Sequence, residues 1–130
     1  MTLFNWQDSK HLLGVPQMDD THKEFGDLVN QLVEISDSED FKRVFLELLE
    51  HTRVHFDNED RLMVDSAFPA IGEHRSEHDR VLGQLTQINT RVQNGMLVMG
   101  REYIKEMPNW FDVHAATMDS ALAAHLKARG

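Results

Sequence analysis

At 130 residues, with 41% hydrophobic and 27% charged side chains, the chain has the size and balance of one folded domain. Its 22 acidic against 13 basic residues leave a formal net charge of -9, which argues against nucleic acid or anionic membrane as partners, since both are polyanions. With no cysteine, disulfides, iron–sulfur clusters, thiolate zinc sites and thiol catalysis are excluded together. Met1 to Lys10 lack a basic stretch leading into an apolar run, and no segment approaches membrane-spanning length. A soluble, cytoplasmic protein is expected.

Taken in chain order, residues 1–18, with Phe4, Trp6, Leu12 and Leu13, read as an extended arm packed along whatever follows. Met18, His22, Phe25, Val29 and Leu32 alternate in spacings of four and three, one face of a helix over about 19–36, with Asp19 or Asp20 as its N-cap. Ser36 and Glu39 have capping-box spacing for a second helix over about 39–65, striped by Phe41, Phe45, Leu48, Thr52, His55, Glu59 and Leu62. Pro69 suits the first turn of a third helix over about 69–94, striped by Ile71, His74, His78, Val81, Leu85, Ile88 and Val92. Asn94-Gly95 reads as its C-cap. A fourth helix over about 98–127 carries Tyr103, Met107, Trp110, His114, Met118 and Leu122, and Pro108 inside it predicts a kink. Four amphipathic segments with short connections give an all-α fold, an up-down-up-down antiparallel four-helix bundle.

Histidine is over-represented, with eight in the chain, and the stripes hold several where apolar residues belong. His22 lies in the first; His55 and Glu59 stand four apart in the second, His74 and His78 four apart in the third, and His114 precedes Asp119 in the fourth. A spacing of four stacks two side chains on one helix face, about 6 Å apart. Each pair alone is common in helices, and a lone buried histidine is more often a hydrogen-bonded core residue. Metal-competent groups in all four helices, at heights that antiparallel packing can level, point to a metal centre. Burying them unpaired would cost about 1–3 kcal/mol each. Asp119, five residues after His114, reaches the same centre if the helix contains a π-bulge.

These residues resemble the hemerythrin family, particularly its bacterial single-domain members, over nearly the whole chain. Phe4-Asn5-Trp6 and Leu13-Gly14-Val15 resemble the family's N-terminal arm, and Met18 to Lys23 its first-ligand segment. His55 to Glu59 matches its HxxxE motif, His74 to His78 its HxxxH motif, and His114 to Asp119 its HxxxxD. The resemblance implies two iron ions and no haem. One iron would take His74, His78 and His114; the other would take His22 and His55. Glu59, Asp119 and a solvent-derived oxo or hydroxo group would bridge them. Three histidines and three bridges fill six positions on the first iron, leaving one open on the second for dioxygen or a small anion. An imidazole-rich shell favours Fe(II) and reversible binding over oxidation chemistry.

Phe56, Trp110, Phe111 and Ala115 are expected to wall a dry oxygen pocket. Phe111 stands where the family usually has an aliphatic residue, and Ala115 where it usually has a larger one. That pattern predicts a gap beside Ala115 and faster autoxidation. His51, one turn before His55, is a candidate hydrogen-bond partner behind the ligands; His11 and His125 read as surface residues, and the methionines as core filler. The function implied is oxygen carriage, storage or sensing, the last with a signalling partner. The competing readings are a di-iron enzyme (peroxidase, oxidase or nitric oxide reduction) and a structural metal such as zinc. Tyr103, about 16 Å along the helix from His114, is poorly placed as a redox partner.

Overall fold

The computed structural model describes residues 3–129, and all regular structure among them is helical. A single turn, α1 (Asp8–His11), precedes four long elements. These are α2 (Pro16–Glu34), α3 (Ser38–Asp65), α4 (Ile71–Gln93) and α5 (Leu97–His114). From α5 the chain passes without a break through a π-helical segment, Ala115–Asp119, into α6 (Ser120–Arg129). Each long helix packs on its neighbour in sequence, and α5 closes the ring against α2. The result is the antiparallel four-helix bundle that the stripe pattern implies.

The helix ends differ from the sequence expectation in instructive ways. Pro16 opens α2 as its first residue, so Asp19 and Asp20 lie inside the helix. Asp19 instead turns back to the arm, accepting hydrogen bonds from the Leu13 and Gly14 backbone N–H groups at 2.8 and 3.0 Å. The cap of α3 is Asp37 rather than Ser36, its carboxylate accepting from the Asp40 N–H at 3.0 Å. Pro69 stays outside α4, which starts at Ile71. The intervening turn is a Schellman closure: Ala67 adopts φ 54° and Phe68 N–H donates to the Met63 carbonyl at 2.9 Å. Asn94-Gly95 ends α4 as its sequence implies, with Gly95 at φ 93°.

Two core regions flank the histidine layer. The larger, holding Phe25, Val29, Leu32, Phe41, Phe45, Leu48, Leu85 and Ile104, fills one end of the bundle. The smaller, with Met18, Met63, Phe68 and Leu122, fills the other. The arm is pinned to α2 by Asn30, whose amide oxygen accepts from Leu3 and Phe4 N–H while its NH2 donates to the Phe4 carbonyl.

His11, expected on the surface, is 2% exposed. Its Nδ1 accepts from the Gln7 N–H at 2.9 Å, so the ring proton sits on Nε2, which donates to Asp112 at 2.9 Å. His125 is half-buried, hydrogen-bonded to the Ser66 carbonyl at 2.8 Å and set against Phe68. Both departures have one cause. Helical periodicity reports the face a side chain occupies, whereas these rings are buried by partners distant in sequence.

Candidate metal centre

All seven predicted groups converge between the two cores. His22, His55, Glu59, His74, His78, His114 and Asp119 are each at most 4% exposed. Glu59 lies at the middle of the array. Its Oε2 stands 3.2 Å from His22 Nε2 and 2.7 Å from His55 Nε2. Its Oε1 stands 3.5 Å from His74 Nε2 and 3.2 Å from His78 Nε2. Asp119 repeats the division: Oδ1 is 3.1 Å from Nε2 of both His74 and His114, and Oδ2 is 3.3 Å from His22 Nε2. On one side, His74 faces Glu59 Oε1 and Asp119 Oδ1 while His78 meets the first and His114 the second; on the other, His22 faces Glu59 Oε2 and Asp119 Oδ2 while His55 meets Glu59 Oε2.

The spacing of five between His114 and Asp119 works because π-helical bonding covers that stretch. In a π turn, residues five apart stack as residues four apart do in an α-helix. Asp119, 0% exposed, is thereby turned inward beside His114.

Such a cluster is electrostatically unsettled by itself. Burial disfavours charge on His22 and His74, but the Asp119 and Glu59 carboxylates outweigh it and push both rings up to about 9. Burial likewise works against an ionised Glu59, yet the charge on His55, hydrogen bonds from His22 and His55 and the nearby His74 imidazole hold it well below the usual carboxylate range. Asp119 is held low by His114, His22 and His74 against both burial and the charge of Glu59. Even so, Glu59 Oε1, both Asp119 oxygens and Nε2 of His74, His78 and His114 are buried with no hydrogen-bond partner.

Those orphaned atoms are the test of fit. The ligand-type atoms of Glu59, His74, His78, His114 and Asp119 lie within 4.8 Å of one another, and so do those of His22, His55 and Glu59. Nitrogen and oxygen donors about 2.0–2.2 Å from a shared ion stand at most about 4.4 Å apart. A contraction of a few tenths of an ångström at the widest pairs is enough for two overlapping groups sharing Glu59 to hold metal.

A family model described as the hemerythrin HHE cation binding domain matches residues 13–126. A bacteriohemerythrin of Ralstonia nicotianae is 33% identical over 130 residues, spanning 100% of this chain and 93% of its own length. The chain belongs to the hemerythrin family. A bacteriohemerythrin of Methylococcus capsulatus is 21% identical over 131 residues, 98% of this chain and 100% of that protein. Among solved structures, a leucine-to-tyrosine mutant of a hemerythrin superposes with a TM-score of 0.90 at 21% identity, covering 97% of this chain and 98% of that one. The wild-type form gives 0.89 at 20% identity, covering 95% and 98%. At those identities the superposition bears on the fold. Hemerythrins are oxygen-binding proteins rather than enzymes.

Aromatic rings surround the centre of this hemerythrin. Phe56 stacks on His78 with ring centroids 4.0 Å apart and planes 4° from parallel, and Trp110 stacks on His114 at 4.8 Å. Phe111 meets His22 edge-on at 4.9 Å. Ala115 is fully buried in the same core cluster as Phe111, so it does not open directly to solvent.

Two groups escaped sequence reasoning. Asp60 Oδ1 accepts from His78 Nδ1 at 3.0 Å, and Glu77 accepts from Trp110 Nε1 at 3.0 Å. Asp60 directly follows Glu59, but only the register of α3 against α4 shows that it faces His78. His51 Nε2 lies 3.4 Å from Glu24, and its ring stands edge-on to His55 at 6.3 Å without a hydrogen bond to the clustered groups. Among the described residues, no helix is long and apolar enough to cross a membrane.

Proposed function

We propose that this hemerythrin binds dioxygen reversibly at a non-haem di-iron centre held by His22, His55, Glu59, His74, His78, His114 and Asp119. The observation that carries the reading is the unequal division of five imidazoles between the two ends of two carboxylates. Two iron ions joined by an oxo or hydroxo group would supply the two electrons on which reversible dioxygen binding draws.

The chain's own residues provide the rest. Glu59 and Asp119 each present one oxygen to either side, which suits bridging. The His22 and His55 side has one imidazole fewer, and that shortfall is what makes it the ligand-accepting side. Asp60 fixes the His78 tautomer by taking its Nδ1 proton in a hydrogen bond, so that Nε2 is free to face Glu59. Phe56, Trp110 and Phe111 replace water around the imidazoles with ring faces and edges, and excluding water and protons protects a reversible complex from decay. The shell holds five imidazoles and two carboxylates, a composition that favours the ferrous state over oxidising chemistry. Oxygen carriage, storage and sensing all draw on a site of this kind.

The test is the visible spectrum of the reduced, iron-loaded protein under argon, after admission of air, and after oxygen is removed again. A charge-transfer band that appears with air and disappears on deoxygenation, at two irons per chain, is expected. A persistent ferric spectrum after the first exposure would overturn reversible binding while leaving the metal site in place.

A further inference from the structure

The aromatic walls leave one ligand pair within reach of the surface. A cleft of about 300 Å³ between α2 and α3 is lined by Gln17, Met18, Thr21, Asn58, Arg61 and Leu62, and also by His55 and Glu59. Gln17, Asn58 and Arg61 are exposed at its rim, whereas His55 and Glu59 are buried. His55, at 4%, is the most exposed of the seven clustered groups. The cleft therefore runs from solvent to the side of the centre with two imidazoles. A second cleft, of about 320 Å³, touches His78, but Asp57, Asp60 and Asp79 border it against the single cation Arg53. His78 meets Asp60 through Nδ1, the nitrogen turned away from Glu59.

We infer that the Gln17–Asn58–Arg61 cleft is the entry port for small solutes to the His22/His55 side, with Arg61 selecting in favour of small anions. The inference rests on the di-iron reading of the site and adds to it a route and a selecting residue. The molecule carries a net charge of -9, so an approaching anion meets a repulsive field over most of the surface. Arg61 is the one lysine or arginine among the residues lining this cleft. Its partner Asp57, 3.0 Å away, is exposed, and both groups are well hydrated. A pair of that kind is weak and leaves guanidinium donors for a passing anion. Gln17, Thr21 and Asn58 bring no charge of their own, so the local sign at the mouth is set by Arg61 and its pairing with Asp57. A neutral molecule such as dioxygen can use the same opening without feeling that sign.

Stopped-flow mixing tests this directly, with azide as the anionic probe on the diferric protein and dioxygen as the neutral probe on the diferrous protein. Arg61→Glu is expected to lower the ratio of azide to dioxygen association rates by about ten-fold at low ionic strength. The difference should vanish near 1 M salt, where the screening length is about 3 Å. Asn58→Trp, which places a bulky ring at the rim, should slow both probes together. Circular dichroism and iron content establish that each variant is folded and loaded. Loss of iron or of the oxygen-dependent band in the parent protein would defeat the di-iron reading itself. A loaded parent whose azide-to-dioxygen ratio is unmoved by Arg61→Glu overturns the selecting role, and rates unmoved by Asn58→Trp overturn the port.

Discussion

Phe111 and Ala115 show how a single position can mislead when it is read without its neighbour. Small Ala115 predicts a gap, yet it is 0% exposed and Phe111 is 1% exposed within one cluster. Phe111 lies against Phe4, Phe25 and His22, with centroids 5.3, 5.3 and 4.9 Å away. The two lie one turn apart in one buried cluster, with no surface left exposed at position 115. Filling position 115 alone therefore overpacks the wall. Ala115→Ile should cost about 1–3 kcal/mol in urea unfolding, and Ala115→Ile with Phe111→Leu should recover most of that loss. A single variant as stable as the parent would mean that free space exists beside Ala115 after all, and the expected gap would return with it.

At the scale of elements, the arm and the bundle meet at Gly26. A Cβ added there would overlap the Phe4 ring, whose other neighbours are His11, Phe25 and Phe111. Gly26→Ala gains up to about 1 kcal/mol in helix propensity, but displacing Phe4 forfeits about 1.5–3 kcal/mol of burial. The clash should win. Lower stability is expected, together with faster proteolysis between Phe4 and Gly14; a stabilised protein would show that Phe4 yields at no cost. This contact also marks what the sequence could and could not disclose. Helical stripes, the ligand motifs and even the π segment between His114 and Asp119 were legible, because each is a local spacing on one helix. Asp37 as the cap, the burial of His11 and the Asp60–His78 bond were not. Each depends on which of several similar polar residues finds a partner, and Asp112 lies 101 positions from His11.

For the whole molecule, the centre links stability, pH and metal. His22 and His74 are raised to about 9 by Asp119 and Glu59 despite burial. Their contribution to the metal-free fold is full below the ordinary imidazole value of about 6.5 and is lost as pH rises through about 9. Glu59 and Asp119, held low, contribute above the ordinary carboxylate range of about 4 and lose that contribution as pH falls. The metal-free protein should accordingly be most stable near pH 5–6, about midway between those limits, and weaken toward pH 9. A bound cation takes the place of the protons, because ligating imidazoles must be neutral. Between about pH 7 and 9, loading should release about two protons, from His22 and His74, so apparent affinity should rise up to about 100-fold per pH unit. Above about pH 9 it should level off. Zinc, as a redox-inert probe, allows this to be measured by chelator competition and by proton release in weakly buffered solution. The loaded protein should melt higher than the metal-free one, and the gap should widen with pH over the same window. Affinity independent of pH, or loading without proton release, would mean that the two imidazoles are already neutral in the metal-free cluster and that the carboxylates do not keep them protonated.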